Sequence, residues 1–157
     1  MCNELEVIIN NLKDSFDGKP WYGNSVMHTL RSIPWQIANN KTYGSKSIAI
    51  LVQHIISWRI FVLKRLEGDV NYDIIIDGEN DWDEIHINNQ EEWHSLIMKL
   101  QNTQDNLLHM LSKQTNAILQ QQVTGKDYNF GPILTSIAQH DIYHLGQIAM
   151  LNAMQKS

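Results

Sequence analysis

Two histidines four residues apart, His140 and His144, interrupt an otherwise apolar helical stripe of Ile133, Ile137, Ile148 and Leu151. Residues at that spacing stand one above the other on the same helix face. A third histidine, His54, shares a helical face with Ile50, Leu51, Trp58 and Phe61, while the other face of that segment carries Ile48, Val52, Ile55 and Val62. The segment is therefore apolar around most of its girth, and His54 is expected inside whichever way the helix turns. A buried imidazole left without a partner costs on the order of 1–3 kcal/mol, so three in one small protein call for a shared explanation. A divalent cation supplies one, because neutral imidazole nitrogens are strong ligands at about 2.0–2.1 Å and one turn of helix offers two of them. Depth agrees: at a rise of 1.5 Å per residue the three rings differ in level by only about 4 Å. The alternative is that each ring is a core residue bonded to a backbone carbonyl or a hydroxyl. Seven histidines in 157 positions give a four-residue spacing by chance readily enough that spacing alone does not decide. The coincidence of three inward rings at one depth favours the metal.

The other histidines read differently. His94 shares a face with Glu91, Gln101 and Asp105, and His109 with Asp105, Ser112 and Lys113. Both are expected in solvent, as are His28 on a short helix and His86 in a connection. Glu91 and His94 have the three-residue spacing of di-iron bundles, but those sites need a second such pair and two further inward glutamates, which are missing. Cys2 has no nearby His, Lys or Arg to lower its pKa and is not expected to act as a nucleophile or ligand. Neither a glycine-rich phosphate loop nor a nucleophile elbow is present, and no residue stands out as a general acid or base.

The elements that must position these side chains are helical. Leu5, Ile8, Ile9, Leu12 and Phe16 repeat at helical spacing until Asp17-Gly18 stops them. A short helix spans about 24–33, and an irregular, Asn-rich stretch follows from Trp35 to Gly44. A long helix covers about 45–67. The next starts at Asn88-Asn89 with Glu92 placed for a capping box, and carries Trp93, Leu96, Ile97, Leu100, Leu107, Leu108 and Leu111. Residues 114–129 are polar, with a turn of helix near Ile118. The last helix runs from about 131 to 154, with Pro132 in its first turn. Four long amphipathic helices predict an all-α fold, a four-helix bundle in one domain over residues 1–157. The connection over 68–88, about twenty residues, exceeds the usual 2–8 of a bundle turn, so the second and third long helices could run parallel. Tyr72 to Ile76 could form a short extended piece, with Trp82 tucking the connection against the bundle. The five tryptophans read as core and loop anchors.

Composition sets limits on partners. Twelve basic against seventeen acidic residues leave a net charge of −5, and no basic stripe exists to neutralise phosphates, which argues against nucleic-acid binding. No apolar run approaches the ~18 residues of a membrane span, and the amino terminus lacks the basic start and apolar core of a secretory signal. With one cysteine and no possible internal disulfide, a cytoplasmic location is expected.

The stretch Tyr128-Asn129-Phe130-Gly131, followed by Ile137-Ala138-Gln139-His140-Asp141-Ile142-Tyr143-His144-Leu145-Gly146-Gln147-Ile148, resembles the last helix of the DinB/YfiT-like family. Pro20-Trp21-Tyr22-Gly23 and the run from Ser47-Ile48 through His54 to Trp58-Arg59 match in the same order. The resemblance implies a four-helix bundle in up-down-down-up order, with the long crossover between the second and third helices. It implies a divalent metal, zinc, nickel or iron, held by His54, His140 and His144, and a homodimer. Activities in that family are thiol-dependent S-transfer and isomerisation, and some members are described as metal-dependent hydrolases. The resemblance thus points to a metal-dependent enzyme joining a low-molecular-weight thiol to a small electrophile; a non-catalytic metal- or ligand-binding stress protein is the alternative. Gln147 is a candidate to bind substrate. Asp141 and Tyr143 are candidates to orient an imidazole.

Overall fold

The computed structural model describes residues 3–156; Cys2 lies outside them. Within that range the chain is all-helical, with helices α1 (Glu4–Asp17), α2 (Val26–Arg31), α3 (Ile48–Leu66), α4 (Gln90–Leu111) and α5 (Phe130–Met154), and short 3₁₀ turns at Trp35–Ile37 and Asn116–Gln120. The described residues form no strand, only an isolated bridge between Gln122 and Asn129.

Local chemistry sets the helix ends. The Asn3 side chain accepts from Glu6 N–H, and Ser25, Ser47 and Asn89 do the same for His28, Ile50 and Glu92, each satisfying a donor that the first helical turn leaves free. The Ser47 cap explains why α3 begins at Ile48 rather than near 45. Glu92 reaches back to Asn88, accepting from both its backbone and its side-chain N–H, a capping box displaced by one residue. Gly18 ends α1 where no other residue fits, since a Cβ there would lie 2.6 Å from Asp14 Cα.

The apolar side chains separate into two layers. One gathers Phe16 of α1, Ile48, Val52 and Ile55 of α3, Trp93 and Leu100 of α4, and Leu145, Ile148 and Leu151 of α5. The other gathers Leu5, Ile8 and Leu12 of α1, Phe61 and Val62 of α3, Leu107 and Leu111 of α4, and Leu134 and Ile137 of α5. Between them lies a polar layer. Arg59 of α3, 0% exposed, donates from Nε and Nη2 to Asp141 Oδ2 of α5 at 2.8 and 2.6 Å, and from Nη1 to Gln104 Oε1 of α4 at 2.7 Å. Gln104 in turn donates to the Leu12 carbonyl of α1 at 3.0 Å, and the Phe16 ring packs 4.7 Å from the guanidinium. One hydrogen-bonded chain therefore crosses all four long helices.

The α3–α4 connection contains no extended strand at Tyr72–Ile76. Its backbone is held instead by its own side chains: Asn80 accepts from Ile75 N–H and donates to the Asp73 carbonyl, and Asp81 accepts from Asp77 N–H. Asp77 adopts φ 61°, a left-handed conformation that Asp tolerates better than most residues. Asp73 fastens the connection to Arg65 and Lys126, and Asn39 pairs with both backbone groups of Ile87 at its far end. Trp82 packs inward as expected. Trp93 is a core anchor whose indole donates to the Ile33 carbonyl. Trp21 departs from the anchor reading, being 100% exposed.

The buried pair yields the first prediction. Asp141→Ala strands the Arg59 charge in the core and should destabilise the protein by about 3–5 kcal/mol, while replacing both partners with apolar residues should recover much of that loss. Urea unfolding of the two single variants and the double variant measures the coupling. Additive losses would mean that the pair does not act as a unit.

Candidate metal centre

α3 brings His54, and α5 brings His140 and His144, to one place beside the polar layer. One nitrogen from each ring can be chosen so that all three lie within 4.8 Å of one another, and His54 Nε2 and His140 Nε2 are 3.1 Å apart. His54 and His144 are buried and His140 is half-buried. The α5 stripe containing both rings runs along the rim of the buried face, whose centre is Leu134, Ala138, Asp141, Leu145, Ile148 and Asn152.

Each of two rings is fixed by an acceptor behind it. His54 Nδ1 faces the Asp81 carbonyl at 2.7 Å and the Asp81 carboxylate at 3.1 Å. A carbonyl only accepts, so Nδ1 carries the proton and Nε2 presents its lone pair toward His140. His144 Nδ1 donates in the same way to Gln147 Oε1 at 2.6 Å. This hydrogen bond on the far nitrogen is the arrangement that fixes tautomer and ring plane in metal-ligating histidines. Asp81 is held in turn by the Trp58 indole N–H at 2.8 Å. Trp82 stacks flat on His54 with centroids 3.8 Å apart and planes 4° from parallel, and Lys46 Nζ lies 4.5 Å from the Trp82 ring.

Burial, the dominant cause, pushes the pKa of His54 down, and pushes that of His144 down to about 4; the neighbouring imidazoles add to the depression in both. Both rings are therefore neutral at pH 7, the protonation state that a cation requires. The donor set fits a divalent ion. Nitrogens about 2.0–2.1 Å from one ion at tetrahedral angles stand about 3.3 Å apart, close to the observed His54–His140 separation. His140 Nδ1 is buried without a partner, so nothing on that side competes for the ring.

The sequence candidates fall into distinct places. His54, His140 and His144 converge. Gln147 accepts the hydrogen bond from His144, so its oxygen faces a ring rather than a cavity. Asp141 is committed to Arg59; its Oδ1 lies 3.8 Å from His140 Nδ1 without bonding it. Tyr143 is exposed, with its ring 4.9 Å from that of His144. His28, His86, His94 and His109 are all exposed. Sequence reasoning missed Asp81, which orients His54, because nothing in local spacing connects position 81 to position 54. It also missed Arg59, although an arginine in the middle of an otherwise apolar helix is a signal of a buried partner.

The depressed histidines set a pH dependence. A ring whose folded pKa lies below its unfolded value of about 6.5 contributes stability that is fully present above 6.5 and is lost as pH falls toward the folded value. Chelator-treated protein should therefore lose urea resistance between about pH 6.5 and 4, and His144→Gln should flatten part of that slope. An unchanged slope in the variant would show that this ring does not titrate with folding.

The comparisons with known proteins agree with the geometry. No curated protein and no solved structure is significantly similar to the chain. The family model of the DinB superfamily, however, matches residues 26–148 of the 157, a span that contains all three converging histidines. This chain belongs to the DinB superfamily.

Proposed function

We propose that His54, His140 and His144 hold a divalent metal ion in a metal-dependent enzyme that transfers a low-molecular-weight thiol onto a small electrophile. The observation that carries this reading is the convergence of three ring nitrogens, two of them with their far nitrogens already committed to acceptors. Three neutral ligands leave a divalent ion its full charge and an open position, and the Lewis acidity it supplies lowers the pKa of a thiol or of water toward neutrality.

The chain's own groups have defined tasks in this reading. Asp81 and Gln147 hold two imidazoles in the ligating tautomer. Trp82 shields one face of His54 from water. In the transfer itself a sulfur–carbon bond forms, the bond from carbon to its leaving group breaks, the leaving group departs with the electron pair, and the thiol proton passes to solvent. For the fold we propose the up-down-down-up order of the family. The layers support it: α1 and α5 enter the layer containing Leu12 and Leu134 with their first halves, whereas α3 and α4 enter it with their second.

Purified protein should retain a divalent metal by elemental analysis, and Zn²⁺ or Ni²⁺ at a hundred times its dissociation constant should stabilise it by ~2.7 kcal/mol. His144→Ala should abolish that gain, and Gln147→Ala should weaken metal binding by about 10–100-fold. Metal-loaded protein with monochlorobimane and a panel of small thiols should consume thiol faster than the His144→Ala control. Metal uptake without thiol consumption would support a non-catalytic metal-binding bundle instead, and absence of metal uptake would overturn both readings.

A further inference from the structure

The histidine cluster is not closed on every side. His140 forms one wall of a groove between α3 and α5 with a volume of about 360 Å³, within the lower part of the range that small-molecule sites occupy. Trp58 and Phe61 of α3 face Ile133 and Ile137 of α5 across it, and Tyr128 contributes from the segment before α5. From His140 to Ile133 the groove follows α5 for seven residues, about 10 Å. Among the described residues no aspartate, glutamate, lysine or arginine lines it; its polar groups are the imidazole of His140, the Ser136 hydroxyl and the Tyr128 phenol. The nearest carboxylates are engaged elsewhere, Asp73 with Arg65 and Lys126, and Asp81 with Trp58, Asp77 and His54, whereas the cations of Arg65 and Lys126 lie 4.8 and 5.4 Å from the Phe61 ring.

A groove of this composition discriminates by charge. An ammonium placed in it would lose water and find no counter-charge, whereas an aryl or branched alkyl group would bury its surface against rings and methyl groups. One end is His140 of the proposed metal site, so a group seated in the groove would present its reactive atom to that ring.

We propose that the α3–α5 groove is the subsite for an uncharged aryl or short branched-alkyl group of the electrophile, with its sulfur-accepting carbon held beside His140. The inference rests on the reading of the cluster as a thiol-transfer site and deepens it by dividing the two substrates. Small thiols that carry an ammonium group find no partner in the groove, so they approach the cluster from another side. Phe61 and Ile133 then determine which electrophiles fit.

The test uses full-length protein and a matched pair of probes, neutral benzyl alcohol and cationic benzylammonium, titrated while backbone amide resonances are followed by NMR. Benzyl alcohol should shift the resonances of Ile133, Ser136, Ile137 and His140, and benzylammonium should bind at least about tenfold more weakly. Ile133→Trp at its half-buried position, two turns from His140, should fill the groove and abolish the benzyl alcohol shifts while leaving zinc uptake intact. Ser136→Phe at an exposed position provides the same obstruction should Ile133→Trp fail to fold. Equal binding of both probes, shifts that map elsewhere, or shifts that survive a folded groove-filling variant would overturn the assignment. Because the probes bind without turnover, the readings separate cleanly. Groove binding with no zinc uptake removes the metal reading and with it the groove's role as an electrophile subsite, whereas zinc uptake with no groove binding removes the groove alone.

Discussion

An arginine and an aspartate taken out of water together must recover a desolvation cost of several kcal/mol each, and they do so only when geometry is good and the remaining donors are satisfied. Arg59 and Asp141 meet most of that condition. Two guanidinium nitrogens share one carboxylate oxygen, a third finds Gln104, and Gln104 is completed by a backbone carbonyl of α1. Such a chain is satisfied only in one axial register of α3, α4 and α5 against α1. Apolar side chains are more tolerant of sliding, because Leu against Ile is nearly as good one position along. The polar layer therefore fixes what the two apolar layers leave loose.

The histidine cluster inherits that register. His140 is the chain neighbour of Asp141, and His54 lies five residues before Arg59, so locking Arg59 onto Asp141 also sets the level at which the imidazole rings meet. A slip of one turn, about 5.4 Å, would separate His54 from the two α5 rings, whose centroids now lie 4.6–5.0 Å from its own. The ring planes are set separately, by Asp81 in the α3–α4 connection and Gln147 one turn beyond His144. Axial register comes from the core, and orientation comes from the loop and the helix rim.

Much of this was legible beforehand, for physical reasons that differ by element. Periodicity located α1, α4 and α5, because an amphipathic stripe is a local signal. The three converging histidines were legible because a polar ring on an apolar stripe violates the pattern that surrounds it. The buried ion pair left a comparable trace: Asp141 is the only Asp, Glu, Lys or Arg between Phe130 and Met154, and Arg59 sits in a run of apolar residues. The arginine signals a buried partner, and the lone aspartate on the other apolar helix supplies it. Asp81 left no such trace, and Trp82, expected to tuck the connection against the bundle, gave no sign that it would stack on His54. Their roles depend on how the connection folds on itself, through Asn80, Asp73 and the left-handed Asp77, and a loop held by side-chain hydrogen bonds has no period to detect. Tyr72–Ile76 forms no strand for the same reason: its β-branched residues are typical of strands, but its backbone is held by side-chain partners rather than by another strand.

The placement of the histidines at the rim of the buried face of α5, rather than at its centre, is what the proposed chemical site requires. Had the rings served only to cross-link helices, nothing would require His140 to stay half-buried while His54 and His144 are covered. At the rim, His54 and His144 are covered while His140 keeps one side on an apolar groove. Burial keeps two rings neutral, and in the proposed reading the partial exposure of the third is the route by which a small molecule reaches the cluster. A fully enclosed triad would favour the neutral rings even more strongly but admit nothing. A fully exposed one would admit water from every side and lose the low-polarity surroundings in which electrostatic effects on a bound thiol or water are strongest. The observed position satisfies both requirements, and it follows from the fold: the polar layer occupies the centre of the bundle, and the histidines lie along its edge.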